Sequence, residues 1–492
     1  MQLVYKVKDR PPVGKLLIAA LQQLLAILAA TIAVPAAINA QFPDANMSAS
    51  AALLGAGVGT IVYLLFTKFR SPVFLGSSFA FLGSMSAAFA GGVSMSAGYL
   101  GLLIGAAFAG LVYVVIAVIV KFAGVKWINK LMPAVVIGPT VAIIGLSLAG
   151  NAIGDLMKGN VFNAGDAMLC SPYVALLCGL VTLAVTMICS VYGKKNLKLF
   201  PFVIGILAGY ALAAIFTGIG AAANVDALKI IDFSKFKSMK WLPDFSFIQA
   251  FKGGYSFGDG GSVGTFIGTI AVAYVPVAFV VFAEHIADHK NLSSIIGTEL
   301  LEDPGLSRTL LGDGVGSICG AFFGGCANTT YGESIGCIAI TGNASIVSIL
   351  TAALGCMVLS FFTPFVVFIN SIPKCVMGGA CIALYGFIAV SGLQMLHRVD
   401  LGNSKNLFVV SSILVCGIGG LYFGFGTNSI TGGALLNITS LAVALIVGIV
   451  TNLIVNNGKL SSGEDGLSSA ASEMGKVDPE TTEIPSRKSK KK

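Results

Sequence analysis

Residues 100–120 read LGLLIGAAFAGLVYVVIAVIV, a stretch without one charged side chain. Wound as an α-helix it spans about 30 Å, the thickness of a bilayer's hydrocarbon core. Comparable apolar runs occupy 16–38 and 435–455. A membrane-spanning β-barrel would instead show short alternating segments of about ten residues. Composition agrees with the helical reading: 56% of the 492 residues are hydrophobic and only 11% are charged. Soluble domains carry about 25% charged residues. The chain therefore reads as an all-α membrane protein. The first apolar run is too long for a cleavable signal peptide and is followed by many others.

The formal net charge of +8 does not point to nucleic acid. The excess falls in short loops and in the terminal run 487–492, RKSKKK. About fourteen spans are expected, with the N-terminus inside. On that count Lys68 and Arg70, Lys121, Lys126 and Lys130, Lys194, Lys195 and Lys198, and His397, Arg398 and Lys405 all fall on the cytoplasmic side, as basic loop residues should. The long mixed segment 221–263 is placed outside. Residues from about 461 onward read as a disordered tail. The ten cysteines are scattered through apolar segments without metal spacing and read as small buried hydrophobes.

The chain also echoes itself. Gly76-Ser77-Ser78-Phe79-Ala80-Phe81 resembles Asn328-Thr329-Thr330-Tyr331-Gly332-Glu333, and Met132-Pro133-Ala134-Val135-Val136-Ile137-Gly138 resembles Ile372-Pro373-Lys374-Cys375-Val376-Met377-Gly378. Each pair is separated by roughly 250 residues, about seven spans. An odd number of spans inverts the second copy. Inverted repeats with helices interrupted at matching places point to a transporter's binding site. Ser, Thr, Gly and Asn weaken regular helix there. Gly316-Ser317-Ile318-Cys319-Gly320 is read differently, as a close-packing helix face.

Two carboxylates stand inside apolar surroundings. Glu284 follows 271–283, apolar apart from one tyrosine, and Glu333 lies between Gly332 and Ser334. An ionisable group within a span is a functional candidate by default. An ionised carboxylate only accepts hydrogen bonds, whereas a protonated carboxyl offers a donor and an acceptor. That pair matches the donor–acceptor edge of a nucleobase. Protonation and base binding would then favour each other, the linkage a symporter needs. His285 follows Glu284 and can tune it or pass a proton; the plain alternative for His285 and His289 is a cytoplasmic loop. No metal site is expected. No nucleotide loop or Ser/His/Asp set marks an enzyme, and Gly258-Asp259-Gly260-Gly261 lacks a phosphate-binding lysine.

At these residues the chain resembles the nucleobase–ascorbate transporter family, and within it the bacterial uracil permeases, over roughly 11–456. The family signature runs Gln, Glu or Pro, then Asn, any residue, Gly, four of any kind, Thr, then Arg, Lys or Gly. It is matched by Glu333, Gly336, Thr341 and Gly342, with Ser334 in place of the Asn. The segments 76–81, 283–285 and 303–308 carry further likeness. The resemblance implies fourteen spans in two inverted repeats of seven, with short strands in spans 3 and 10. It implies a cytoplasmic N-terminus at 1–14 and a core domain at 15–130 and 266–370. A gate domain follows at 131–265 and 371–457, and a tail at 458–492.

Carried over by resemblance, Glu284 and Glu333 bind the base and couple the proton, with backbone near Phe79 and Gly332 assisting. Ala30 and Tyr331 line the pocket, and Tyr385 is a gate-domain tyrosine beside it. His285 is a further coupling candidate. Four positions bear on specificity. The family's usual Gln-His pair is Gln22-Gln23 here. Asp288 and Gly342 are purine-like choices, Glu333 is a uracil-like one, and Ser334 departs from the pattern. The expected function is proton-coupled uracil import across the bacterial cytoplasmic membrane by a homodimer, with no cofactor and no nucleic-acid partner. The alternatives are a xanthine, uric acid or broad-specificity permease, an anion transporter of similar fold, and a channel.

Overall fold

The computed structural model describes residues 3–124, 133–163, 168–194, 201–237, 245–258, 261–427, 434–438 and 440–456. Lys126, Lys130, Lys195, Lys198, Met132, Asp259, Gly260 and the tail 458–492 lie outside the described residues.

Helices α1 (Val13–Gln41) and α2 (Ala49–Phe66) precede a short strand, β1 (Leu75–Ser77), which leads into α3 (Leu82–Phe89). Helices α4 (Met95–Ala123), α5 (Ala134–Ser147), α6 (Ala149–Asp155), α7 (Pro172–Tyr192) and α8 (Pro201–Ala223) follow. The external segment expected at 221–263 holds short helical turns and the brief helix α9 (Ser246–Ala250). Then come α10 (Val263–Ile296), α11 (Leu306–Gly324), β2 (Asn328–Thr330) and α12 (Gly332–Thr341). Helices α13 (Ile346–Ser360), α14 (Thr363–Ser371), α15 (Lys374–Met395) and α16 (Ser404–Ile418) lead to a hairpin of β3 (Phe423–Thr427) and β4 (Ala434–Ile438) and to α17 (Ser440–Val455). Among the described residues, eight helical stretches are long and apolar enough to cross a membrane, and three shorter apolar helices accompany them. The apolar run 100–120 lies within α4. The run 435–455 is divided between β4 and α17. Its first residues include Asn437 and Ile438, types that favour non-helical backbone over helix interior.

Strands β1 and β2 pair antiparallel, Leu75 opposite Thr330 and Ser77 opposite Asn328. Helices α2 and α11 grip this pair, and small residues let them meet. A Cβ on Gly59 would stand 2.8 Å from the carbonyl oxygen of Gly316, and one on Gly324 the same distance from that of Ala51. The Asn328 side chain fills the notch between the two helices, its amide donating to Gly55 O at 3.1 Å. Small-residue faces that bring backbones together are the usual helix-packing device in lipid, where no hydrophobic drive exists between helices.

The N-terminal segment is more ordered than a plain tail. Val4 and Tyr5 N–H groups both donate to Gly342 O, Ala344 N–H donates to Tyr5 O, and Ile346 N–H to Val7 O. The Ser345 hydroxyl adds a bond to Asp9 O at 2.7 Å. The segment is thus laced to the loop that ends α12.

A Cβ on Gly320 would overlap the Asn328 side-chain amide. Gly320→Val should therefore force α2, α11 and β2 apart, with a cost of about 1–3 kcal/mol or more. The expected result is a sharp fall in monodisperse protein after detergent extraction, read by size-exclusion chromatography against Gly336→Ala, whose added Cβ meets nothing within 4 Å.

Candidate functional site

The strands are short because each gives way to a helix. The two strands run antiparallel, so α3 and α12 leave in opposite directions, and both helix starts lie beside the strand pair. First-turn N–H groups lack partners within their own helix and carry partial positive charge. Phe79 stands just before α3 and Gly332 opens α12. Gly332 is open to the cavity: a Cβ there would meet only Asp288 Oδ1, at 3.8 Å.

Against these helix starts lies a cavity of about 320 Å³. Ser77, Phe79, Thr329, Thr330, Tyr331, Gly332 and Glu333 form one wall, and Glu284, Asp288 and Asn291 of α10 a second. Val141 and Ile144 of α5, with Phe387, Ile388 and Met395 of α15, close it with apolar surface. Glu284 and Asp288 are one helical turn apart and so share a face of α10. Glu333 reaches the same space from the first turn of α12. Asp288 accepts a hydrogen bond from the Thr330 hydroxyl at 2.5 Å, which ties α10 to β2. Three carboxyls therefore face one small volume. No lysine, arginine or histidine is among the described residues that line it.

The site residues expected from the sequence divide into two groups. Phe79, Glu284, Asp288, Tyr331, Gly332 and Glu333 come together on the cavity. Ala30 does not line it. Ala30 is buried in α1, next to Thr31, whose hydroxyl donates to the Tyr331 phenol at 3.3 Å. That phenol in turn donates to Ser77 O at 3.0 Å, so Tyr331 braces β1 from behind. Tyr385 packs edge-on against Phe79, ring centroids 5.4 Å apart, but lines a second cavity of about 330 Å³. Gln23 and Ser334 are both buried and bond to each other behind Glu333. Gly342 caps the far end of α12 with a φ of 66°, a full helix length from the carboxyls.

His285 is the main departure. Neither histidine lies in a loop: both belong to α10 and are fully buried. His285 turns away from the cavity, its Nδ1 2.7 Å from Asp313 Oδ2 and its Nε2 3.0 Å from Thr309 Oγ1, both on α11. His289 stacks on it with centroids 4.0 Å apart and meets the Tyr63 hydroxyl at 2.6 Å. Tyr63 donates onward to Ser71 Oγ at 2.7 Å. Adjacent residues on a helix point about 100° apart, so Glu284 and His285 serve different sides of α10. Asp313 is the residue that sequence reading passed over. It was detectable by the same rule that found the glutamates: a carboxylate within an apolar, glycine-rich span.

The family model described as Permease family (Xan_ur_permease) matches residues 14–426. A uracil permease of Bacillus caldolyticus is 40% identical over 456 residues, covering 92% of this chain and 94% of that protein. Uracil permeases of Bacillus subtilis and Escherichia coli K12 are 36% and 32% identical, over 92% and 91% of this chain. Among solved structures, the transmembrane domain of a cyanobacterium bicarbonate transporter aligns at TM-score 0.56 over 91% of this chain and 99% of its own. The murine Solute Carrier 26 family member A9 anion transporter in the inward-facing state aligns at 0.60 over 92% of this chain and 69% of its own. Both are 14% identical, so they speak for the fold alone.

Removing Asp313 would leave the buried His285 ring without its Nδ1 partner. Asp313→Ala is expected to lower stability by about 1–3 kcal/mol, the penalty for stranding a buried polar group. The measurement is the thermal unfolding midpoint in detergent, and an unchanged midpoint would refute a structural role for the pair.

Proposed function

The chain belongs to the nucleobase–ascorbate transporter family of permeases and is an integral protein of the bacterial cytoplasmic (inner) membrane, not an enzyme; on that premise we propose that it imports uracil together with a proton. The observation that carries the proposal is the set of three carboxyls on one cavity whose described lining holds no basic side chain. Three like charges in so small a partly dry volume repel strongly. A proton on one carboxyl relieves that repulsion, and a protonated carboxyl presents a donor beside its acceptor. Uracil offers the matching alternation of N–H and C=O. On this reading Glu284 and Glu333 hold opposite edges of the base, while the N–H groups near Phe79 and Gly332 donate to its carbonyls.

The same reading counts the two strand–helix units as crossings, giving fourteen spans in two inverted repeats. The paired placement of β1 and β2, each leading into a short helix, supports it. Core and gate domains with the bounds given above, the N-terminus inside, and a homodimer belong to the same proposal. His285 is given a supporting role through α11 rather than proton transfer. An anion as solute is disfavoured by the acidic lining, although the fold is shared with anion transporters. Xanthine is the second reading, favoured by Asp288 on the cavity wall.

The test is uptake into liposomes under an inward proton gradient, with labelled uracil, xanthine and hypoxanthine compared. Uracil accumulation that collapses with the gradient is expected. Uptake that cannot be driven uphill would indicate a channel, and no uptake of any base would overturn the proposal. Glu333→Gln keeps a donor and an acceptor but cannot titrate. It should bind uracil yet lose pH-dependent accumulation, and full pH-dependent accumulation would remove Glu333 from coupling.

A further inference from the structure

The chain departs from its family's pattern at two positions 311 residues apart, Gln23 and Ser334, and the fold brings the two into contact. The Ser334 hydroxyl donates to Gln23 Oε1 at 3.0 Å, and Gln23 Nε2 donates to Ser334 O at 3.4 Å. Gln23 is 3% exposed and Ser334 is 0% exposed. Gln23 therefore engages both the side chain and the main chain of the residue that follows Glu333. Both members of the pair are polar, buried and mutually matched in donor and acceptor. An apolar residue at 23 would take the acceptor from the Ser334 hydroxyl, and one at 334 would take the donor from Gln23 Oε1.

The contact has a counterpart on the other side of Glu333. Thr31, eight residues along α1 from Gln23, meets the Tyr331 phenol at 3.3 Å. Eight residues of helix span about 12 Å. A single rigid helix thus holds the chain at Tyr331 and again at Ser334, and Gly332 and Glu333 lie between the two anchors. Gly332 itself supplies no side chain to fix the turn. The backbone that carries the Glu333 carboxyl is thus held against α1 on both sides.

We infer that Gln23 and Ser334 form a clasp that positions the Glu333 carboxyl for the base, so that the two departures from the family pattern are one coupled change. The clasp is a positioning device: neither side chain lines the cavity. Its role rests on the proposed function of Glu333 as a base-binding group. Loosening the clasp should weaken base binding more than the translocation step, because substrate affinity depends on where the carboxyl sits.

The experiment is a double-mutant cycle on uptake by reconstituted protein, with Gln23→Met, Ser334→Ala and the double variant. Methionine keeps the volume of glutamine and removes both hydrogen bonds. Loss of one buried hydrogen bond corresponds to about a two- to ten-fold effect. Gln23→Met and Ser334→Ala should each raise KM for uracil within that range at near-parent Vmax. The double variant should be no worse than Gln23→Met, and the pH profile should keep its shape. Parent uptake of uracil is the separate check on the substrate; if the parent carries another base, the cycle is read on that base. Multiplicative losses in the double variant would show that the two residues act independently and would overturn the clasp. Reduced membrane abundance and Vmax with an unchanged KM would also overturn it, by assigning the pair to folding alone.

Discussion

The structure depends on satisfying the backbone of two three-residue strands where water is scarce. An unpaired N–H or C=O in the membrane interior costs several kcal/mol, so non-helical backbone persists there only when protein supplies every partner. Three paired positions are too few, and the flanking residues make up the difference. Ser78 N–H donates to Ala327 O and Tyr331 N–H to Phe74 O, which extends the ladder at both ends. The Thr60 hydroxyl accepts from Leu75 N–H at 2.9 Å. Ser317 Oγ donates to Asn328 O at 2.8 Å. With these in place, the chain can stop being helix in the middle of the fold and start again on the far side.

That interruption creates the site. Two helices that begin inside the protein expose N–H groups to whatever lies before them. The glycine faces of α2 and α11 are a prerequisite, since Asn328 fits between them only where Gly59 and Gly320 lack side chains. The buried chain from Asp313 through His285 and His289 to Tyr63 and Ser71 runs along the back of α10 and fixes its rotation. Fixing that rotation aims Glu284 and Asp288 at the cavity. The polar groups behind the site and those within it are therefore parts of one arrangement, divided by the face of α10 on which each stands.

Much of this was legible in the sequence. Uncharged runs of bilayer length gave the class, and the echo between 76–81 and 328–333 marked the two strand–helix units. Carboxylates in apolar context marked Glu284 and Glu333. Asp313 obeyed the same rule but was obscured by its glycine-rich helix, which reads as packing surface and is packing surface on its other faces. The loop alternative for the histidines arose because Asp288, Lys290 and Asn291 beside them look like the polar end of a span, whereas α10 continues to Ile296. The pairing of Gln23 with Ser334 is a contact across 311 residues. No local periodicity encodes such a contact; it exists only once α1 has packed on α12.

Helix α15 runs past both cavities. Its first half, through Met377, Cys381 and Tyr385, lines the cavity of about 330 Å³, and its last turns, Phe387, Ile388 and Met395, line the one that holds the carboxyls. Tyr385 lies between them, packed on Phe79. The surface that faces the carboxyls from α5 and α15 is apolar: Val141, Ile144, Phe387, Ile388 and Met395. An uncompensated charge carried past such a surface costs several kcal/mol, whereas a protonated carboxyl hydrogen-bonded to a neutral base costs far less. On the proposed reading, the apolar face itself supplies the coupling. It does not recognise the base; it penalises passage of a site that lacks its proton, and base binding, which favours the protonated carboxyl, ties the second solute to the first.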